Sequence, residues 1–80
     1  MRNYLVISAL GEDRPGIVDQ LSKTVLEGGC NIEDSRMTVL GGECAGLWLI
    51  SCPWNRIATV DTALARVAYD LNLTRTCKRT

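Results

Sequence analysis

The chain has 80 residues and a mass of 8.8 kDa, which allows one small domain with a single hydrophobic core, over residues 1–80. Hydrophobic residues make up 46% and charged residues 22%, which is typical of a globular protein and excludes general disorder. Nine Lys and Arg residues balance nine Asp and Glu residues, so the chain lacks the positive charge of most nucleic-acid-binding domains. Histidine is absent, which excludes histidine-based catalysis and histidine-ligated metal sites.

Compartment and cysteine chemistry follow from the same composition. No apolar run approaches the roughly 18 residues of a membrane helix, and the first residues run into a strand-like pattern without a cleavable signal. We therefore expect a cytoplasmic protein with no membrane partner. The four cysteines form no Cys-x-x-Cys pair, which argues against zinc-ribbon and thioredoxin-type motifs. We expect all four to be buried free thiols: Cys30, Cys44, Cys52 and Cys77.

The first half of the chain predicts a strand, a helix and a second strand. Residues 4–10 form a short apolar run with β-branched members, which favours a strand. A helix is predicted over residues 15–27, because Pro15 suits the first turn and apolar residues follow at helical spacing. Gly28-Gly29 ends this helix, since glycine adopts the left-handed conformation without steric cost. The alternation in residues 30–40 predicts an edge strand with one face exposed to solvent.

The second half predicts a hairpin, a second helix and a last strand. Gly41-Gly42 indicates a hairpin turn. The return strand, residues 43–52, is apolar on both faces, so we expect it in the centre of the sheet. Asn55 is expected to cap a helix over residues 56–71, whose apolar residues form one stripe. A short edge strand is predicted over residues 74–78.

The element order β-α-β-β-α-β predicts an α+β, ferredoxin-like fold with a four-stranded antiparallel sheet and both helices on one face. We assign four residues to the face that the helices cover: Leu5, Ile7, Leu47 and Leu49. The other face has no segment left to cover it and carries four more: Tyr4, Val6, Trp48 and Ile50. An exposed apolar patch of this kind marks a partner surface. The alternative interpretation is that Trp48 is simply the largest core residue.

The loop between the first strand and the first helix, residues 11–16, has the features of a small-ligand site. The unpaired backbone N–H groups at the start of the helix can hold a carboxylate, and Gly11 and Gly16 would let a ligand approach the backbone. The Asp13 carboxylate could accept hydrogen bonds from an ammonium group, while Asn31 offers a donor and an acceptor. This combination fits an α-amino acid. The alternative is that Asp13 caps the helix or stabilises its dipole, and that the glycines only make the turn.

Two segments of the chain strongly resemble an ACT domain: Gly11-Glu12-Asp13-Arg14-Pro15-Gly16-Ile17-Val18 and Gly29-Cys30-Asn31-Ile32-Glu33-Asp34-Ser35-Arg36-Met37. The resemblance covers essentially the whole chain. Residues 4–10 and Trp54-Asn55 narrow it to a family of transcriptional repressors that control glycine breakdown and carry two ACT domains in tandem. The resemblance implies a regulatory domain, and we assign no catalytic residue, metal or cofactor.

ACT domains pair side by side or through their sheet faces, and many bind a small amino acid between two domains. The resemblance therefore implies a homodimer or a second ACT domain, a small amino acid ligand with glycine as a candidate, and contact with a transcriptional activator protein rather than nucleic acid. Carried onto this sequence, the candidate ligand-binding residues are Gly11, Asp13, Arg14, Gly16 and Asn31. The serine-binding ACT pattern has histidine where Gly11 stands and asparagine where Asp13 stands. Because Asn31 alone matches its polar contacts, the identity of the ligand stays open.

Two other functions remain as alternatives. The first is a ligand-free dimerisation or interaction module. The second is an enzyme of similar architecture, such as an acylphosphatase, for which Arg14 lies in the appropriate loop. However, Arg14 directly precedes Pro15, the Glu12-Asp13 pair opposes a phosphate, and no nucleophile–base pair is visible. We therefore predict that the chain is not an enzyme. Arg36 on the edge strand is either a pairing residue or a solvated charge.

Overall fold

The strands and helices follow one another as predicted, in a computed structural model that describes residues 2–80. The elements are β1 (Arg2–Glu12), α1 (Ile17–Glu27), β2 (Asn31–Leu40), β3 (Glu43–Pro53), α2 (Ile57–Asp70) and β4 (Thr74–Arg79). A short 3₁₀ turn, Trp54–Arg56, joins β3 to α2. In residues 2–80 neither helix has the length and the apolar composition needed to cross a membrane.

The four strands form one antiparallel sheet in the order β2-β3-β1-β4. This is the predicted ferredoxin-like arrangement, with β3 and β1 in the centre and β2 at one edge. The sequence predicted that β2 exposes one face to solvent, whereas both faces of this strand are exposed beyond Glu33. Even apolar residues in this part of the strand are exposed, Met37 by 41% and Val39 by 51%.

Two glycine turns and one bulge determine how β2 enters and leaves the sheet. Gly41 and Gly42 have φ values of +59° and +82°, which is the two-residue hairpin geometry that glycine favours. Gly29, with φ +85°, ends α1 as predicted. The register between β2 and β3 shifts by one residue between Ile32 and Asp34, so Glu33 lies in a β-bulge.

Both helices begin later than the sequence suggested. Gly16, with φ +86°, is the N-cap of α1, and Pro15 lies in the preceding turn rather than in the helix. Asn55 does not cap α2, because the 3₁₀ turn takes up residues 54–56 and Arg56 becomes the N-cap without a side-chain hydrogen bond. In both places a tight turn precedes the helix and shifts its first residue along the chain.

The prediction for the faces of β3 was wrong. Leu5 pairs with Ile50 and Ile7 pairs with Trp48 across the ladder, and paired residues share a face. Trp48 is 4% exposed and Ile50 is fully buried, so both contribute to the core under the helices. The Trp48 ring lies over Gly46, where a Cβ atom would overlap it. The alternative interpretation, Trp48 as a core residue, is therefore the correct one.

The face opposite the helices is nevertheless apolar and uncovered in the described chain. Leu47 and Leu49 lie on it, together with Tyr4 and Val6, as their positions in the ladder require. Tyr4, Leu10 and Leu47 are each about half exposed, at 45%, 52% and 50%. We call this surface the open face. The open face is apolar as predicted, but Leu47 and Leu49 lie on it in place of Trp48 and Ile50.

The prediction of four buried free thiols was also wrong. Cys30 and Cys52 form a disulfide, with 4.5 Å between their Cα atoms. Cys44 is a buried free thiol, as predicted, whereas the free thiol of Cys77 is exposed. The two cysteines are 22 residues apart in the sequence. They meet because the start of β2 and the end of β3 are neighbours in the sheet.

Candidate functional site

The predicted ligand loop, residues 11–16, is attached to the hairpin between β2 and β3. The backbone N–H of Asp13 donates a hydrogen bond to the carbonyl oxygen of Gly42, at 3.0 Å. The carbonyl oxygen of Gly16 accepts the N–H of Gln20, at 2.9 Å, which is the first hydrogen bond of α1. We call this region, residues 11–16 with the start of α1, the glycine corner.

The start of α1 in the glycine corner has the free backbone groups that anion binding requires. No side chain in the described part of the chain caps this helix, so the interpretation of Asp13 as a capping residue is wrong. The first-turn N–H groups therefore have no side-chain acceptor within the described residues, and they carry partial positive charge. A depression of about 210 Å³ lies at this point, and its lining is Asp13, Arg14, Gly16, Ile17, Val18, Asp19 and Met37.

The two predicted glycines of the corner have different structural roles. A Cβ atom on Gly11 would lie 2.6 Å from Cδ2 of Leu73 and 2.9 Å from the carbonyl oxygen of Asn72. Gly11 is therefore needed for close packing against the turn before β4. A Cβ atom on Gly16 would have no described atom within 4 Å, so glycine is needed there for its φ of +86°. Of the two, Gly16 leaves its backbone open to a ligand.

The charged residues of the corner are Glu12, Asp13 and Arg14 in the loop and Asp19 in the first turn of α1, and all four side chains are exposed. The Asp13 carboxylate lies near the start of β3, where burial raises the pKa of the Cys44 thiol and the negative charge of Asp13 raises it further. Cys44 is thus held as a neutral thiol at physiological pH. The corner combines three exposed carboxylates, one exposed guanidinium and helix N–H groups without a side-chain cap.

Asn31 lies at the opposite end of the sheet from the glycine corner. Gly11 pairs with Cys44, whereas Asn31 pairs with Ser51, seven residues further along β3. At about 3.3 Å per residue, the two parts of the predicted site are about 23 Å apart along the strands. The structure therefore brings the four loop residues together but does not bring Asn31 to them within one chain.

The Asn31 end of the sheet contains contacts that the sequence pattern does not predict. The hydroxyl of Ser51, which is fully buried, donates to Oε2 of Glu33 at 2.7 Å. The Cys30–Cys52 disulfide links the residue before β2 to the end of β3 at the same place. The side chain of Trp54, two residues beyond Cys52, is 76% exposed. The hairpin at Gly41-Gly42 indicates that the start of β2 and the end of β3 are neighbours, but the bulge at Glu33 shifts the register by one residue and decides which residues meet.

The outer edge of β2 has no partner strand in residues 2–80, so its backbone N–H and C=O groups are free to pair with another chain. Arg36 on this strand forms an exposed ion pair with Asp34. A side-chain hydrogen bond from Arg36, with a backbone hydrogen bond from Ser35, lowers the pKa of the Asp34 carboxyl below its usual value. Arg36 is therefore an exposed charge that is paired with a carboxylate of its own strand.

The arrangement of strands and the glycine corner define a class of regulatory domain. The model of the ACT domain family matches residues 3–78, and the chain belongs to this family. It is 46% identical over 79 residues to the glycine cleavage system transcriptional repressor of Escherichia coli K12, a match that covers 99% of this chain and 42% of the relative. The repressor of Shigella flexneri matches to the same extent.

Solved structures agree with these sequence matches. A crystal structure of a protein assigned as a glycine cleavage system transcriptional repressor has 40% identity and a TM-score of 0.95, with 100% of this chain and 47% of that chain covered. An ACT domain protein from Streptococcus pneumoniae shares the fold, with a TM-score of 0.83 at 23% identity and coverage of 96% and 89%.

These relatives confirm the narrower resemblance to the repressor family and agree with a regulatory domain rather than an enzyme. The chain spans less than half the length of the curated relatives that it matches.

Proposed function

We propose that this domain senses a small α-amino acid, with glycine as the first candidate, in a site shared between two paired domains. The glycine corner of one domain and Asn31 of a second domain hold the ligand. The paired domains then regulate a transcriptional activator protein through protein–protein contacts. The observation that carries this proposal is the 23 Å or so between the glycine corner and Asn31, which a second domain can bridge.

The free edge of β2 supports this pairing. If the β2 strands of two copies pair antiparallel, with the centre between Ser35 and Arg36, then Asn31 of the second copy lies opposite Leu40. Leu40 directly precedes the hairpin whose Gly42 accepts the hydrogen bond from Asp13. The antiparallel arrangement thus places each Asn31 beside the glycine corner of the other copy. Twofold symmetry forms two equivalent sites in this way.

The groups in this shared site match the chemistry of an amino acid. The open N–H groups at the start of α1 and the Arg14 guanidinium suit the carboxylate. The Asp13 carboxylate and the Asn31 side-chain oxygen suit the ammonium group. The depression is small, about 210 Å³, which favours a ligand with a small side chain. A ligand that contacts both domains stabilises the paired state by its difference in affinity between the paired and separate states.

Isothermal titration calorimetry with glycine, serine and leucine tests the proposal. We expect saturable heat with a small amino acid and at least about a tenfold loss of affinity in Asp13→Ala and in Asn31→Ala. Asp70→Ala and Asn55→Ala are the matched controls, since both residues are exposed and lie outside the proposed site. The absence of heat with all three amino acids at millimolar concentration would contradict amino acid sensing.

Mixing two variants tests whether the site is shared. Asp13→Ala and Asn31→Ala each damage both sites of a homodimer, but a mixed dimer contains one site with neither substitution. After equal mixing we expect about a quarter of the wild-type number of sites to return. If mixing restores no binding although mixed dimers form, Asp13 and Asn31 do not act in a shared site.

A ligand-free interaction module is the second candidate function, and the open face favours it. A depression of about 380 Å³ on this face has Ser8, Leu10, Arg36, Thr38, Ala45 and Leu47 around it. Apolar surface of this kind is used to contact proteins. If Leu47→Glu prevents contact with the partner protein while every amino acid fails to bind, the ligand-free function is the correct one.

A further inference from the structure

We propose that the Cys30–Cys52 disulfide is a reversible redox site, which a dithiol reductant opens and whose opening releases the segment of β2 that carries Asn31. The two sulfur atoms join the connection between α1 and β2 to the end of β3. The redox state of this site then controls one of the two ends of β2 independently of the other. For its effect on ligand binding, this inference rests on the proposed function of Asn31.

The β-bulge at Glu33 is what aligns the two cysteines. From the hairpin to Asp34, the pairing of β2 with β3 follows one register, in which Asp34 lies opposite Leu49. Without the bulge, this register would place Cys30 opposite Pro53. The one-residue shift places Asn31 opposite Ser51, and Cys30 therefore comes next to Cys52. The bulge and the disulfide thus form one structural unit.

The same bulge separates the pairing of the segment around Asn31 from the pairing of the remaining strand. Asn31 and Ile32 pair with β3 on one side of the bulge, and the remainder of β2 pairs on the other side. Ile32 is half-buried, whereas every later residue of β2 is exposed. On the N-terminal side, Gly28-Gly29 connects the segment to α1, and a backbone hydrogen bond joins the Cys30 N–H to the Val25 carbonyl oxygen at 3.1 Å. The disulfide is the covalent tie of this short segment.

Both cysteines are buried, Cys30 with 2% and Cys52 with 0% of the residue exposed, so a reductant reaches the bond only after a local opening. A thiolate of the dithiol then attacks one sulfur atom, forms a mixed disulfide and releases the other cysteine as a thiolate. The second thiol of the reductant displaces the first cysteine and forms the oxidised, cyclic reductant. Two electrons and two protons pass to the protein, and glutathione disulfide can reverse the reaction.

Local opening links the redox site to Asn31 by thermodynamics. A second domain or a ligand that contacts Asn31 disfavours opening, and therefore slows reduction of the disulfide. Reciprocally, the reduced protein holds Asn31 in its place for a smaller fraction of the time and binds such a partner more weakly. The glycine corner, at the other end of β2, lies outside the released segment.

Alkylation followed by mass spectrometry tests whether the bond forms and opens. After treatment with glutathione disulfide, denaturation and iodoacetamide, we expect modification of the two free thiols, Cys44 and Cys77, and of all four cysteines after dithiothreitol. Modification of all four cysteines in the oxidised sample would overturn the proposal. This assay contains no amino acid, so its result is independent of the proposed function.

Amide hydrogen exchange measured by NMR tests whether the effect is local. In the reduced protein we expect exchange at residues 30–32 to be on the order of tenfold faster. The Asp13 amide, bonded to Gly42 at the other end of β2, should keep its rate. Unchanged rates at residues 30–32, with faster exchange confined to the slowest amides of β1 and β3, would overturn the proposal and assign the bond a purely stabilising role.

Cys52→Ala provides the permanently open form, and Cys77→Ser is the matched control because Cys77 is a free thiol. We expect Cys52→Ala to reproduce the exchange rates of the reduced protein and Cys77→Ser to leave them unchanged. Should Cys52→Ala not fold, the wild-type protein reduced with dithiothreitol gives the same open form without a substitution. Exchange rates in Cys52→Ala equal to those of the oxidised wild type would contradict the inference.

Discussion

The two ends of β2 are built in different ways. At the hairpin end, the glycine corner is attached by the hydrogen bond between Asp13 and Gly42, and the start of α1 has no side-chain cap in the described chain. At the other end, a disulfide joins the two neighbouring strands, and the buried Ser51 hydroxyl is bonded to Glu33. The hairpin end has backbone groups without a side-chain cap, whereas the Asn31 end is crosslinked by a disulfide.

This difference separates two requirements of the shared ligand site that we propose. A ligand that approaches the backbone needs exposed N–H groups and residues without a Cβ atom, which the glycine corner contains. A side chain offered to another domain must be held in a defined position by the structure around it. The disulfide and the bulge hold Asn31 in this way. Substitutions at one end or the other should therefore differ in their effects.

The largest expected effect is at the Asn31 end. Cys52→Ser removes a crosslink between residues 22 positions apart, and we expect it to lower the free energy of unfolding by about 3 kcal/mol. The melting temperature of a domain of this size should fall by roughly 10–20 °C. Urea and thermal unfolding under oxidising conditions measure both values.

Cys77→Ser is the control, with an expected change within about 0.5 kcal/mol, since Cys77 is an exposed free thiol. In dithiothreitol, wild type and Cys52→Ser should unfold at nearly the same urea concentration. A Cys52→Ser protein as stable as oxidised wild type would show that the disulfide does not stabilise this end.

At the glycine corner, the two glycines should differ in their tolerance of alanine. Gly11→Ala places a Cβ atom against Leu73 and the backbone oxygen of Asn72, and we expect a loss of about 2 kcal/mol from overpacking. Gly16→Ala meets no described atom and carries only the cost of its left-handed φ, about 1 kcal/mol. Equal losses in urea unfolding would refute the role of Gly11 in close packing.

A smaller effect is expected for Ser51→Ala at the Asn31 end. The substitution removes the hydrogen bond to Glu33, and we expect the free energy of unfolding to fall by about 1 kcal/mol. Ser35→Ala on the exposed part of β2 is the control, with a change below about 0.5 kcal/mol. If both variants are equally stable, the buried hydroxyl does not stabilise the bulge.

The smallest effect concerns pH. Because the hydrogen bond from Arg36 lowers the pKa of Asp34 in the folded state, this pair stabilises the protein at neutral pH. The contribution is lost as the pH falls below the ordinary carboxyl pKa and through the lowered one. We expect Arg36→Gln to raise the pKa of Asp34 toward its usual value in an NMR titration. An unchanged pKa in Arg36→Gln would show that another group lowers it.

The sequence predicted the fold well, because the signals that define the elements are local. Gly28-Gly29 and Gly41-Gly42 stand where a helix and a strand end, and the apolar spacing in between separates helix from strand. The predicted helices differ from the observed ones by one or two residues at their starts. Turn geometry caused this difference, since Gly16 and the 3₁₀ turn before α2 come before the first helical residues.

The candidate site was predicted only in part. The loop residues follow one another in the chain, so the sequence was sufficient to group them. Asn31 was grouped with them because it begins a strand next to the same helix, but the strand directions place it at the far end of the sheet. The sites that involve two distant segments, such as Ser51 with Glu33, depend on a register that local patterns do not reveal.

The amino-acid sequence by itself determined the order of the elements, the turns and the composition of the glycine corner, because each depends on neighbouring residues. Tertiary structure alone decided which face of β3 is buried and that Cys30 meets Cys52. Both depend on register: β3 is apolar on its two faces, and a shift of one residue exchanges those faces and changes which residues lie opposite each other.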